Sequence, residues 1–181
     1  MVSGAVDLAL VDEPFIPLAT QHASIAHREL HADPLYCVLP ADHPRATCAT
    51  IDLREMARES WVIDHPTCPF YRQTLALCQA AGFQPIVIAN TESVSVSSSL
   101  VRSGAGIAIL PGLALAGVTD LAIRPIVPPI TRRLYGVFRR DAHLRPSIAT
   151  ALDLLTDTAG SVGRSVAAMA SKNRPPSPVR R

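Results

Sequence analysis

A chain of 181 residues with a formal net charge of +2 has room for one ordinary domain or two small lobes, and its charge is too small to argue for nucleic acid or an anionic membrane by itself. Its residues are 48% hydrophobic but only 4% aromatic, so the core must be built from Ala, Val, Ile and Leu, which fits a parallel sheet under helices. Cys37, Cys48, Cys68 and Cys78 show no CxxC spacing, no signal-peptide h-region precedes them, and no apolar run approaches the roughly 20 residues that span a bilayer; reduced thiols in a cytoplasmic protein are expected.

Ala5 to Val11 reads as a strand interrupted by Asp7, broken by Asp12, Glu13 and Pro14. Residues 24–40 are extended and partly alternating, with Pro34 separating two predicted strand segments. Asp42, His43 and Pro44 make a turn, Ile51 to Met56 is predicted as a short helix capped at Thr50, and Trp61 to Ile63 as a strand. Cys68 precedes Pro69 at a helix N1 position, and that helix runs to Ala81 and stops at Gly82. Its apolar positions Phe70, Leu75, Leu77, Cys78 and Ala81 leave Arg72, Gln73 and Gln79 for solvent. Ile86 to Ala89 is the next strand, after which Asn90 or Thr91 caps a further helix.

That helix leads into LVRSGAGIAILPG, Leu100 to Gly112, where Gly104 occupies the left-handed position that ends a helix. Ile107 to Leu110 is a short strand buried on both faces, and Pro111 ends it by removing a ladder donor. Leu121 to Ile126 and Leu134 to Phe138 are strands separated by Pro128 and Pro129. Pro146 to Thr158 is a last helix with Ile148, Leu152, Leu155 and Ala159 on one stripe, and from residue 161 the composition predicts a disordered tail.

Catalytic chemistry finds little support in these residues. Asp12 and Glu13 read as a solvated turn rather than an acid pair, and the serines of SVSVSSS lack a GxSxG elbow. The glycines of GAG follow a helix and precede a strand, the reverse of a dinucleotide fingerprint. His27 and His31 sit four apart, but metal binding would need a third ligand, for which His22 and Cys37 are only guesses; surface or hinge histidines are expected. Lys172, Arg174, Arg180 and Arg181 among prolines read as a solvated end. No enzyme, metal or cofactor is expected.

The blocks GAVDLALV (4–11), DPLYCVLPADHPR (33–45), IDLREM followed by WVI (51–63), AGFQP (81–85) and LVRSGAGIAILPG resemble, in order and spacing, the effector-binding domain of LysR-type transcriptional regulators. The resemblance covers about residues 4 to 158, with Arg45 departing from the more usual apolar residue after His43 and Pro44. It implies an α/β fold of two lobes like a type 2 periplasmic binding protein, joined by two crossover strands with a small effector between them. Residues 1–33 would be partial lobe I, 34–140 lobe II, and 141–160 the return to lobe I. Family members begin with a winged helix-turn-helix, a linker helix and the first strand and helix of lobe I, none of which precedes Met1. An N-terminally truncated regulator is therefore expected, with lobe I incomplete, apolar surface uncovered and solubility poor. DNA contact would pass only through the missing domain. The family's homo-oligomer pairs a lobe I helix with a lobe II helix, here Pro69 to Ala81, and is expected to be weakened.

The same resemblance puts the effector against strand C-terminal ends and helix N-termini. Here these are Val11 and Asp12; Asp64, His65, Thr67 and Cys68; and Asn90, Thr91, Glu92 and Ser93. Free backbone N–H groups and the helix dipole would let Thr67, Cys68, Thr91 and Ser93 hold a carboxylate, so a small organic acid is the preferred effector. Ordinary capping accounts for Thr91 and Ser93 as well. The resulting expectation is an effector-sensing domain that controls DNA binding; the alternative is a free-standing small-molecule binding protein or a non-functional regulator remnant.

Overall fold

The structure, a computed structural model, describes residues 6–12, 22–141 and 145–172. In chain order the elements are β1 (Leu8–Asp12), β2 (Ile25–Leu39), β3 (Ile51–Asp52), β4 (Ser60–Asp64), α1 (Pro69–Ala80), β5 (Ile86–Thr91), α2 (Val94–Arg102), β6 (Ala108–Pro111), β7 (Ala122–Val127), β8 (Thr131–Arg139) and α3 (Pro146–Lys172). Short 3-10 turns follow β3 and β6. The chain divides into unit 1, residues 1–33 and 131–165, and unit 2, residues 34–130 and 166–181.

In unit 1, β1 runs antiparallel to β8 from Leu8↔Phe138 to Asp12↔Leu134, and β8 lies between β1 and β2. Residues 131–139 thus belong here and not to the 34–140 lobe expected from the sequence, because their backbone pairs with β1. Leu30, Phe138, Ile148 and Leu152 form the buried cluster, with Leu8, Ala26 and Leu155 against it. The predicted stripe of α3 is what packs there.

That helix does not stop at Thr158 but continues to Lys172, so residues 161–172 are helical where a disordered tail was expected. Val166 and Ala170 are buried and continue the stripe of Ile148, Leu152, Leu155 and Ala159 at helical spacing; their small side chains hide the periodicity. Residues 173–181 lie outside the described residues.

In unit 2, the second half of β2 pairs antiparallel with β6 on one side, Leu35↔Pro111 to Val38↔Ala108, and with β7 on the other, Tyr36↔Pro125 to Leu39↔Ala122. Strand β3 pairs parallel with β7, and β4 parallel with β5. The pairing is mixed, not the parallel sheet inferred from composition. Leu35 to Leu39 are all buried, and a central antiparallel strand covered on both faces carries the same unbroken apolar run as a parallel one. Pro34 does not split β2, since it stands where pairing with β6 has yet to begin and no donor is lost from that ladder. The predicted helix at Ile51 to Met56 is instead a two-residue strand and a 3-10 turn, Leu53–Met56. Its cap is Asp52, whose Oδ1 accepts from the Arg54 amide at 2.9 Å, and not Thr50.

Trp61, fully buried, centres the core of unit 2 with Leu35, Leu39, Ile51, Met56, Ile63, Cys78, Ile107 and Ile109, and Phe70, Leu75 and Leu77 of α1, with Ala81 just after it, pack against it. The motif at Leu100 to Gly112 keeps its predicted order, with Gly104 at φ +78° after the helix, but the strand is Ala108–Pro111, one residue later than expected: Pro111 does not end it from outside but is its last residue, paired opposite Leu35 and buried like the rest. Gly106 has a separate role, since a Cβ there would stand 2.6 Å from the Ser60 carbonyl oxygen. Only a bare backbone lets Ile107 donate to that oxygen, at 2.8 Å, and so attach β4 to the segment leading into β6.

Candidate functional site

Strands β4 and β5 finish side by side, with Ile63 opposite Asn90 and Asp64 opposite Thr91. The chain leaving β4 turns through His65 to Thr67, closed by the Cys68 amide donating to the His65 carbonyl at 2.8 Å. Cys68 is the N-cap of α1, extended at φ −81° and ψ 137°, with Pro69 following where no amide is needed. The chain leaving β5 enters α2 through Ser93, which is its N-cap in place of the Asn90 or Thr91 expected from the sequence. Neither cap side chain closes its helix. Thr91 instead accepts the Ser93 amide at 3.1 Å, a local turn that displaces the cap by two residues.

The side chains at these ends hold one another. Asn90 Nδ2 donates to the Asp64 carbonyl at 2.9 Å, tying the end of β5 to the end of β4. The Thr67 hydroxyl donates to Glu92 Oε1 at 3.2 Å and lies 2.8 Å from His65 Nδ1, which the Thr67 amide also approaches at 3.4 Å. His65 Nδ1 lies 3.6 Å from Glu92 Oε1. His65, Thr67, Asn90 and Glu92 are exposed, and Ser93 Oγ lies 2.8 Å from Ser95 Oγ. Chemically this is a ledge with backbone amides at two helix starts and an acidic side chain, Glu92, held against one of them through Thr67.

Val11 and Asp12, the remaining expected site residues, end β1 in unit 1 opposite Tyr135 and Leu134. Asp12 Oδ2 accepts from Arg132 Nη1 at 3.2 Å, and Arg132 also holds Asp33 Oδ2 through Nε at 3.0 Å. Asp33 is wholly buried. The sequence reading did not single out Arg132 or Asp33; Asp33 stands between an exposed Ala32 and a half-buried Pro34, so its neighbours give no sign that it is buried and held by a partner.

The thiols lie apart from the ledge except Cys68. Burial pushes the Cys78 thiol up to about 11, and the Cys37 thiol rises for the same reason. His27 sets its ring on edge to Tyr135 with centroids 5.6 Å apart, and His31 lies against α3 at Gly163, where a Cβ would stand 2.8 Å from His31 Nε2. Among the described residues no group of His, Cys, Asp and Glu is arranged to hold a metal ion. A cavity of about 330 Å³ lies at the other end of α1, bordered by Leu77, Ala81, Ile126 and Ile130, and one of about 530 Å³ in unit 1 is bordered by Ser24, Arg139, Arg140 and Asp141. Neither borders an expected site residue.

Residues 1–160 match the LysR substrate binding domain. The chain belongs to that family. It is 27% identical over 145 residues to the transcriptional dual regulator GltC of Bacillus subtilis, covering 78% of this chain and 47% of GltC. It therefore spans about half the length of that curated LysR relative. Among solved structures, the reduced OxyR regulatory domain of Pseudomonas aeruginosa aligns at a TM-score of 0.66 and 24% identity over 90% of this chain and 75% of that one. The regulatory domain of CcmR from Synechocystis PCC6803, in complex with 2-PG, aligns at a TM-score of 0.71 and 21% identity over 88% of this chain and 76% of that one. At these identities the likeness concerns the fold, which is the α/β, type 2 periplasmic-binding-protein-like fold of LysR regulatory domains. Among the described residues no helix is long and apolar enough to cross a membrane.

Proposed function

We propose that this LysR effector-binding domain senses a small organic acid, and that occupancy controls DNA binding by a winged helix-turn-helix outside these residues. The observation that carries this reading is the ledge at the ends of β4 and β5, where the starts of α1 and α2 meet and Thr67 reaches Glu92 at 3.2 Å. Amides at helix starts favour an anion, and Glu92 is the side chain that takes up this role without ligand. An effector carboxylate replaces Glu92 there, accepting from Thr67 and from the amides at the start of α1. Kinship with GltC, a transcriptional regulator, and with the CcmR domain solved with 2-PG supports sensing rather than catalysis.

Thermal-shift measurements on the full chain against a panel of small organic acids test this, because a ligand that binds only the folded state raises Tm with concentration. Glu92→Gln removes the competing charge and is expected to enlarge the shift produced by an acid; Thr67→Val removes the donor and is expected to shrink it. A panel in which amines raise Tm and acids do not, with the amine shift lost in Glu92→Gln, would overturn the acid assignment.

A further inference from the structure

We propose a second binding site within unit 2, at the C-terminal end of α1, for a compact, uncharged apolar molecule the size of a single substituted ring. It goes beyond the acid-sensing reading and does not rest on it. The ledge receives the start of α1, and this site lies at the helix's other end, about 18 Å along its axis.

The cavity there holds about 330 Å³, within the range of small-molecule sites. All the described residues on its border fall within 52–130, so it belongs to one unit. Leu77, Ala80 and Ala81 form the helix wall, and the space exists because two alanines stand where α1 ends. Ile126 and Val127 at the end of β7 face it together with Leu53, and Val127 is left 42% exposed. Backbone pairing holds these walls in place. Ile126 and Val127 stand opposite Ile51 and Asp52 in the β3–β7 ladder. At the end of α1 the amides of Ala81, Gly82 and Phe83 donate to the carbonyls of Leu77, Gln79 and Cys78 at 3.0, 2.9 and 3.1 Å. Walls tied in this way do not close by a small side-chain shift, so the space is preformed.

The chemistry of the border selects the occupant. Among the described residues its charged groups are Asp52 and Arg54, and they are spent on each other. Arg54 Nε lies 3.0 Å from both Asp52 oxygens, Nη2 lies 2.5 Å from Oδ2, and the Arg54 amide donates to Oδ1 at 2.9 Å. The rim therefore carries no net charge, and an ion entering from water finds its counter-charge already engaged. Water gains little among Leu53, Leu77 and Ile126, where polar partners are scarce. A neutral apolar molecule loses only its own unfavourable contact with water and covers that of the walls. A ring suits the site better than a chain, because it enters without giving up internal rotations.

The test is calorimetric titration of the full chain with three probes of similar shape and different charge, benzyl alcohol, benzoate and benzylamine, read beside methyl NMR signals. Benzyl alcohol is expected to saturate with a Kd of about 1 mM and to shift the methyl signals of Leu53, Leu77, Ile126 and Val127. Benzylamine and benzoate should need about tenfold higher concentration to move the same signals, whatever benzoate does at the ledge. Ala80→Leu sets a larger side chain into the space from an exposed helix position, so benzyl alcohol should bind about tenfold weaker while the ligand-free Tm holds or rises. Gln79→Leu, exposed on the same turn but off the border, should leave binding unchanged. Titration without saturation, methyl shifts confined to other residues, charged probes equal to the alcohol, or undiminished binding in Ala80→Leu overturns the proposal; the methyl readout on the parent chain decides even if that variant folds poorly. The two sites fail separately, since Thr67→Val acts on the acid response and Ala80→Leu on this one.

Discussion

In unit 2 the strand-end residues His65, Thr67, Asn90 and Glu92 bond to one another while exposed, whereas in unit 1 Arg132 is fastened to an Asp33 that no solvent reaches. The first arrangement costs little to rearrange, because water can replace each contact as it breaks. The second is fixed, because breaking it strands a charge in a dry place. The cores differ in the same direction as their sizes: unit 2 gathers Trp61, Met56 and many aliphatic residues, while unit 1 relies on the few that α3 covers.

The sharpest way to break this contrast is Arg132→Ala, which takes the guanidinium away from a wholly buried Asp33 and should destabilise the protein by about 3–5 kcal/mol in urea unfolding. A loss under about 1 kcal/mol would place the pair with ordinary surface ion pairs and erase the distinction. Next in size is Gly106→Ala in unit 2, where the added methyl would meet the Ser60 carbonyl oxygen at 2.6 Å. Backbone must move, and a cost of about 1–3 kcal/mol is expected. The matching change in unit 1, Gly136→Ala, meets the flexible end of Leu152 and should cost less.

Alkaline pH separates the units by a different route, since all four cysteines fall within residues 34–130. Burial raises the Cys78 thiol from its ordinary 9.0 to about 11, so across that interval the unfolded chain has lost a proton that the folded chain keeps. Stability present in full below pH 9 therefore declines as pH rises toward 11, and Tm measured over this range should fall. Cys78→Ala should flatten the fall, although Cys37 contributes with the same sign. The smallest effect belongs to the ledge: Thr67→Ala should change unfolding free energy by less than about 0.5 kcal/mol, the range of exposed positions without special partners. A larger loss would mean that the ledge is as rigid as the Arg132 cluster.

What could be read from the sequence follows how local each determinant is. The end of α2, the left-handed Gly104 and the strand at Ala108 are written within a dozen residues, and so are the starts of α1 and α2 that bring Thr67 and Ser93 to strand ends. The cap at Ser93 was missed by two or three positions, because Asn90, Thr91 and Ser93 are all good capping residues and only the turn at Thr91 decides among them. The direction of the strands beside β2 was illegible, since burial on both faces erases the alternation that distinguishes antiparallel strands. The far half of α3 was hidden because Ala159, Val166 and Ala170 carry its stripe without bulky side chains. Arg132, Asp33 and Asp12 meet only through tertiary pairing, and no spacing announces them.

The contact that Gly106 permits has a kinetic meaning as well. Strands β4 and β5 bear the ledge, and two backbone hydrogen bonds of 2.8 Å, from Ile107 to Ser60 and from Val62 to Ile107, form their bridge to the segment entering β6. The amides of Ile107 and Val62 are thus a natural gauge of concerted opening: if β4 and β5 lift away as one piece, these protons exchange with solvent together, at a rate that occupancy of the ledge should slow.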